Sequence, residues 1–230
     1  MTFEVVSPVD GEVYAQCLYS EPEPRLKRAA QAQKDWARTP LAQRMSLLEA
    51  FVDEFLKLPE LALEITRQMG RPLSQSPGEL RGFQERALKM IELAPAALAD
   101  IETEHSPAFR RFVRRQPLGV VLVIAAWNYP YLIAVNSVVP ALLAGNAVLL
   151  KHSSQTPLCA ERMVAAFDKA GGPSGLFDFL HLTHQETEAL VANPAIDHVA
   201  FTGSVEGGRA VQSALRSRFV AAGLELGGKD

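Results

Sequence analysis

A run of 35 residues, from Gln116 to Leu150, contains no Asp, Glu, Lys, Arg or His. A transmembrane helix needs about 20 consecutive apolar residues, so the run is long enough to raise that possibility. Trp127-Asn128-Tyr129-Pro130, Pro140 and Gly145-Asn146 nevertheless cut it into pieces too short to span a bilayer. We therefore expect no membrane span and interpret the run as the buried core of a globular chain.

Buried strands alternate with helices from this run onward. The pattern predicts strands over 120–125, 147–150, 176–181, 198–202 and 219–224, and helices over 131–143, 158–170, 185–192 and 206–216. This order predicts the α/β class, with a doubly wound, Rossmann-like parallel sheet. Ligands of such folds bind at the carboxyl ends of the strands, and we searched the loops there for chemistry.

The first half of the chain has a different pattern. Helices are predicted over 25–38, 40–57, 59–69 and 77–100, followed by an extended excursion. We expect three parts: a mainly helical N-terminal region over 1–100, a β-hairpin excursion over 101–116, and the Rossmann-like part over 117–230.

Composition excludes several function classes. The net charge of -3 and the pI near 6.0 give no reason to expect a nucleic-acid partner. The two cysteines, Cys17 and Cys159, lack a CxxC or zinc-type spacing, so no metal site is predicted. Sparse cysteine use and an N-terminus without a signal-peptide pattern indicate the cytoplasm.

Three residues at predicted strand ends are candidates for chemistry. Glu225 lies between leucines and before two glycines, where partial desolvation would suit a general base, although a surface glutamate at the end of a strand is an alternative explanation. The side-chain amide of Asn128 can stabilise an oxyanion, although a turn asparagine is an alternative explanation. Lys151 can bind a ribose or phosphate, or be an ordinary solvated lysine, and we interpret the adjacent His152 as a loop residue.

Two further motifs concern phosphate. The segment from Phe201 to Ser204 leads into a predicted helix, whose N-terminus suits a phosphate, but the GxGxxG spacing is absent and N-capping by Ser204 is a sufficient explanation. The segment from Gly223 to Lys229 matches GxxxxGK. Asp230 argues against a phosphate-loop ATPase, because the motif needs Ser or Thr there.

Taken in order, these motifs resemble the NAD(P)-dependent aldehyde dehydrogenase superfamily. The resemblance covers roughly the whole chain and corresponds to the family's N-terminal portion. The motifs that carry it are Pro117-Leu-Gly119-Val, Trp127-Asn128-Tyr129-Pro130, Gly145-Asn146-Ala-Val-Leu-Leu-Lys151, Pro173-Ser-Gly175, Phe201-Thr202-Gly203-Ser204 and Glu225-Leu-Gly-Gly-Lys229.

The resemblance implies an activity and a role for each matched position. An aldehyde is oxidised with NAD or NADP through a cysteine-bound thiohemiacetal and a thioester, with Asn128 donating to the oxyanion and Glu225 activating the hydrolytic water. A homo-oligomer is also implied. The positions assigned to cofactor binding are Ile124, Ala126, Trp127, Lys151, Ser154, Gly175, Phe201, Gly203, Ser204 and Leu226.

Departures from the family pattern qualify this interpretation. Ala126 replaces the usual proline, for which we expect a small loop change. Ser154 stands where NAD-preferring members often have an acid, which favours NADP use. The family's nucleophilic cysteine lies downstream of the glutamate, so we expect this chain alone to oxidise no aldehyde. The alternative is a non-catalytic product that binds dinucleotide or joins an oligomer.

Overall fold

The structure, a computed structural model, describes residues 1–103 and 108–228. Glu104 of the predicted hairpin, and Lys229 and Asp230 of the last motif, lie outside this range. In chain order the elements are β1 (Thr2–Val6), β2 (Val13–Leu18), α1 (Pro22–Trp36), α2 (Leu41–Leu56), α3 (Leu61–Met69), α4 (Ser76–Leu98), β3 (Ile101–Glu102), β4 (Phe112–Val113), β5 (Val120–Ala125), α5 (Pro130–Leu143), β6 (Ala147–His152), α6 (Leu158–Lys169), β7 (Phe177–Phe179), α7 (His184–Ala192), β8 (His198–Gly203), α8 (Val205–Leu215) and β9 (Ala222–Leu226).

Five parallel strands form the central sheet in the order β7-β6-β5-β8-β9. The strand order reverses after β7, since the chain returns to pair β8 with β5, and this is the doubly wound topology that the alternating pattern predicts. Every residue of β5 and β6 is buried, which explains why the sequence carries no charge from Gln116 to Leu150. The predicted fold class is confirmed.

Helices cover the sheet and position its carboxyl edge. α5 and α6 pack on the central strands and are backed by α2 and α4, while α1 packs against β5, β6 and β7. α8 packs against β8 and β9. Aromatic rings fill the space between the helical layers and β7: Phe51, Phe55, Phe83, Tyr131, Phe167 and Phe177.

Two small antiparallel pairs lie outside the central sheet. β1 pairs with β2, and β3 pairs with β4 through Ile101 opposite Val113 and Glu102 opposite Phe112. The second pair falls inside the range for which the sequence predicts an extended excursion.

Several strand boundaries differ from the sequence prediction, β7 being shorter at both ends, and the differences in β6 and β9 bear on the site. The last strand begins at Ala222 instead of Phe219, because the residues that pair with β8 start there and Phe219 is fully exposed. β6 continues through Lys151 and His152, because these residues still pair with Ile124 and Ala125 of β5. Lys151 and His152 are therefore strand residues, and the interpretation of His152 as a loop residue was wrong.

Candidate functional site

A cleft of about 770 Å³ opens at the carboxyl ends of β5, β6, β8 and β9. The strand register places Ile124 between Lys151 of β6 and Phe201 of β8. It also sets Thr202 beside Glu225. Of the predicted site residues, these line the cleft: Ile124, Ala126, Trp127, Asn128, Lys151, Ser154, Phe201, Gly203, Ser204, Glu225 and Leu226.

Lys151 is a buried cation without an internal partner. Its exposed fraction is 7%, and within the described ranges its ammonium group makes no ion pair or hydrogen bond. Burial lowers the pKa of Lys151. A charge in this position is costly unless something pairs with it, so the site favours a ligand that presents hydroxyl or anionic oxygen.

His152, the next residue, is by contrast fully engaged with the protein. Its Nε2 lies 3.1 Å from the carbonyl oxygen of Pro130, and its Nδ1 accepts the Ser153 amide at 3.0 Å and lies 2.9 Å from the Thr156 hydroxyl. Burial lowers the pKa of His152 to about 4, so the ring is neutral at physiological pH. It joins the start of α5 to the loop after β6 and is a structural residue.

The first turn of α8 closes one side of the cleft. The Ser204 hydroxyl accepts the Gly207 amide at 3.0 Å, which confirms its N-cap role. The Phe201 ring lies so close to this turn that a Cβ at Gly203 or at Gly207 would be 2.6 Å from its Cζ. Both glycines are therefore required for space at this helix N-terminus.

An ion pair between Arg71 and Glu79, in the N-terminal helical region, contacts the loop that carries Asn128 and fixes it in place. Arg71 donates to the Asn128 carbonyl oxygen at 2.7 Å and pairs with Glu79, and its guanidinium lies 4.3 Å from the centre of the Tyr129 ring. Glu79 also accepts the Tyr131 amide at 2.8 Å. Burial raises the pKa of Glu79, although Arg71 and the amides oppose that shift.

This ion pair fixes the direction of the loop as well as its position. α5 begins at a proline, and no side chain of its own caps it. The Glu79 carboxylate supplies the missing acceptor and places a negative charge at the positive end of the helix. The Asn128 backbone is thus held while its exposed side chain lines the cleft.

Glu225 differs from the sequence expectation. It lies inside β9, the edge strand of the sheet, and it is exposed. Partial desolvation by the flanking leucines does not occur, because Leu226 is itself 42% exposed and Leu224 is only partly buried. The residue is in the predicted cleft without the predicted burial.

Gly175 is the predicted site residue that the structure does not bring to the cleft. It precedes β7, at the amino end of the strand, whereas the cleft lies at the carboxyl ends. Its φ of +77° and the 2.9 Å that would separate an added Cβ from the Arg28 Cβ explain a glycine there by turn geometry and packing.

Sequence reasoning missed one group of cleft residues and one ion pair that holds a cleft loop. His184, Thr187 and Glu188 of α7 line the cleft, but nothing in their spacing distinguishes them from an ordinary amphipathic helix. Arg71 and Glu79 act on the Asn128 loop from a region for which only helices were predicted. Arg71 follows the left-handed Gly70 that ends α3, and this helix stop was the only available signal.

In the described parts of the chain, no helix has the length and apolar composition needed to cross a bilayer. The profile of the aldehyde dehydrogenase family matches residues 1–230. The chain belongs to the aldehyde dehydrogenase family. This confirms the resemblance inferred from the motif order.

Individual family members resemble the chain over nearly all its length. The 3,6-anhydro-alpha-L-galactose dehydrogenase of Streptomyces coelicolor is 34% identical over 99% of this chain and 47% of the relative. The succinate-semialdehyde dehydrogenase [NADP(+)] of Deinococcus radiodurans is 33% identical over 99% and 48%. The chain thus spans about half the length of these aldehyde dehydrogenases.

Solved structures agree with the fold. A crystal structure of PnpE in complex with nicotinamide adenine dinucleotide matches with a TM-score of 0.94 and 29% identity, over 100% of this chain and 48% of that one. The Rossmann-like sheet and its helices are therefore shared with a solved structure that contains a bound dinucleotide.

Proposed function

We propose that this chain forms the dinucleotide-binding half of an NAD(P)-dependent aldehyde dehydrogenase. The observation that carries the proposal is Lys151, a buried ammonium group without a protein partner, on the wall of a cleft that also contains a helix N-terminus. A ribose offers hydroxyl oxygens to the Lys151 ammonium group, and a pyrophosphate suits the helix N-terminus.

The cleft residues fit such a ligand along its length. Lys151 would hold the adenosine ribose, and Ser204 and the amides of the first turn of α8 would lie beside the pyrophosphate. The remaining cofactor contacts would come from Ile124, Ala126, Trp127, Ser154, Phe201, Gly203 and Leu226. Gly175 leaves this set, since it lies at the other end of the sheet.

NAD or NADP would accept hydride from the aldehyde carbon in the intact protein. Asn128 would donate its amide to the oxygen that becomes negative when a nucleophile attacks the carbonyl. Glu225 would take a proton from the hydrolytic water. In the described residues Glu225 is exposed, so its tuning as a base would depend on contacts that are not made here.

The nucleophile is not provided by either cysteine of these 230 residues. Cys17 and Cys159 are buried and neither lines the cleft. Burial raises the pKa of Cys17 to about 11 and that of Cys159 further, whereas a nucleophilic cysteine needs a lowered pKa. We propose that the chain alone binds dinucleotide without oxidising aldehydes.

Calorimetric titration with NAD and with NADP tests this proposal. We expect measurable binding of at least one of them, and about tenfold weaker binding by Lys151→Met, which removes the cation and keeps a long apolar stem. Lys169→Met is the matched control, because Lys169 is exposed and pairs with Glu54 away from the cleft. Equal affinity in the two variants, or no dinucleotide binding at all, would contradict the proposal.

The remaining inferences from the family also stay proposals. Apolar side chains are exposed on and around the β3–β4 hairpin, which supports its role in a homo-oligomer: Ile101, Phe109, Phe112, Val113 and Leu118. The division at residues 100 and 116 and the cytoplasmic location rest on the sequence. Aldehyde turnover by the purified chain would exclude the non-catalytic interpretation.

A further inference from the structure

Three potential metal ligands meet at the β7 side of the molecule, outside the cleft. Glu161 Oε1 lies 2.8 Å from His181 Nε2 and 3.9 Å from Cys17 Sγ. All three ligand atoms lie within 4.8 Å of one another. They come from α6, the segment after β7, and β2, so three separate parts of the fold converge on one point.

The imidazole is held in a fixed orientation. The His181 amide donates to the Ser20 hydroxyl at 2.9 Å, and its carbonyl accepts the Ser20 amide at 2.8 Å. Its ring packs edge-on against the Phe3 ring, with 5.7 Å between the ring centroids. It lies tilted against the Phe179 ring, with 4.9 Å between the centroids. These contacts direct Nε2 at Glu161 and reduce the entropy that a bound ion would otherwise cost.

The site is accessible from one side. A second cleft, of about 550 Å³, is lined by all three residues, although Cys17 and His181 are 4% and 5% exposed. A cation could enter there and keep a water molecule as its remaining ligand. Three protein ligands and one open position form a common arrangement for zinc.

Nearby positive charge is already compensated. Arg25 and Arg28 both line the second cleft, and both pair with Asp178. Arg162, next to Glu161 in sequence, is bidentate to Glu64. The Glu161 carboxylate is therefore available to a cation.

We propose that Cys17, Glu161 and His181 form a site for a divalent transition metal ion, of which Zn²⁺ is the best match. Thiolate, imidazole and carboxylate together are ligands that zinc accepts, whereas Mg²⁺ and Ca²⁺ prefer oxygen alone. On binding, the Cys17 thiol releases its proton to solvent, and His181 presents an unprotonated Nε2. The ion would tie the β1–β2 hairpin to α6 and to the end of β7.

Small movements complete the coordination geometry. Tetrahedral zinc places its ligand atoms roughly 3.3 to 3.7 Å apart, given metal–ligand distances of about 2.0 to 2.3 Å. His181 and Glu161 would separate slightly from 2.8 Å, and Cys17 would approach Glu161 from 3.9 Å. Rotation of side chains provides both shifts.

Titration of the full chain with Co²⁺ tests the site, since cobalt replaces zinc and gives a thiolate charge-transfer absorption. We expect this band in the wild-type chain at about one ion per chain. Cys159→Ser is the matched control and should keep the band, whereas Cys17→Ser should abolish it. His181→Gln should weaken binding by about tenfold or more.

Each outcome decides the proposal. A band in Cys159→Ser assigns the thiolate to Cys17 even if Cys17→Ser does not fold. Absence of the band from the wild-type chain would overturn the proposal, as would a band that survives in Cys17→Ser. As an independent readout, Zn²⁺ at about 100 times its dissociation constant should stabilise the wild-type chain by about 2.7 kcal/mol relative to EDTA and leave a folded Cys17→Ser unchanged.

Discussion

The two sides of the cleft are built differently, although both lie at the same edge of one sheet. β6 is an interior strand between β5 and β7, and its end residues Lys151 and His152, which pair with β5, are buried. β9 is an edge strand, where Glu225 pairs on one side only and is exposed. The side proposed to hold the adenosine ribose is thus set by the core, while the side proposed to carry the base depends on a single neighbouring strand.

The position of a site residue in the fold and the environment of its side chain are therefore separate properties. Strand order and register bring Glu225 to the cleft as surely as they bring Lys151. Only an interior strand, however, also provides the burial that changes the chemistry of a side chain. The following predictions test this difference between the β6 side and the β9 side.

The largest effect is expected at Glu79, which holds the Asn128 loop on the well-packed side. Glu79→Gln removes the charge that pairs with Arg71 and caps α5, and leaves a guanidinium that is 10% exposed without its carboxylate. We expect a loss of about 3 kcal/mol in the free energy of unfolding, measured in urea. Glu92→Gln is the control, since its pair with Lys89 is exposed, and should cost about 0.5 kcal/mol or less.

A similar cost for the two glutamate variants would mean that the ion pair does not fix the loop. The Asn128 loop would then be no more firmly fixed than the edge strand β9, and the proposed difference between the two sides of the cleft would be wrong.

The second effect concerns pH and His152. Its pKa falls from 6.5 to about 4 on burial, so the unfolded chain binds the proton more tightly than the folded chain. Stability should therefore decline as the pH falls from about 6.5 towards 4, by about 3 kcal/mol from this residue. Urea unfolding across that range should show a shallower decline in His152→Gln than in the exposed-residue control His184→Gln.

If the wild-type chain and His152→Gln lost stability in parallel, the buried neutral histidine would not be the cause. Acid sensitivity in this range would then have to come from other groups.

A smaller effect is expected at Ser154, on the rim of the β6 side. Ser154→Glu would place a carboxylate near the 2′-position of the proposed adenosine ribose. We expect NADP to bind about tenfold more weakly while NAD changes little, as measured by calorimetry. The control Ser153→Asn would alter the neighbouring side chain without adding charge, and an equal loss for both cofactors would exclude the proposed orientation.

The smallest effect is expected at Glu225. Because this side chain is exposed and no hydrogen bond or ion pair is made by it among the described residues, Glu225→Gln should change stability by about 0.5 kcal/mol or less. Dinucleotide affinity should also stay within about twofold. A large loss of stability would show that the β9 side is more tightly integrated than its exposure indicates.

The sequence predicts the parallel sheet and the cleft because both follow from local patterns. Uncharged runs gave β5 and β6, and the motifs at their ends converge since all parallel strands end at one edge. The exposure of Glu225 was not predictable, because flanking leucines do not reveal whether a strand lies at the edge of a sheet. Gly175 was assigned to cofactor binding because it lies in a family motif. Its position at the amino end of β7 depends on the path of the preceding loop, which the motif does not reveal.

Contacts between distant segments are the other limit. Arg71, between α3 and α4, and Glu79 of α4 reach the Asn128 loop and the start of α5 from 57 and 52 residues earlier in the chain. Cys17, Glu161 and His181 are also far apart in sequence, so no zinc-type spacing connects them. Such sites depend on helix packing and on the docking of the β1–β2 hairpin, neither of which has a local signal.

The contact between Phe201 and the two glycines has a consequence for protein engineering. Any side chain introduced at Gly203 or Gly207 would collide with the aromatic ring before it reached a ligand. Libraries that vary these positions one at a time would therefore be limited by this clash. Attempts to enlarge this corner for unnatural cofactors should first replace the phenylalanine with a smaller residue and only then diversify the glycines.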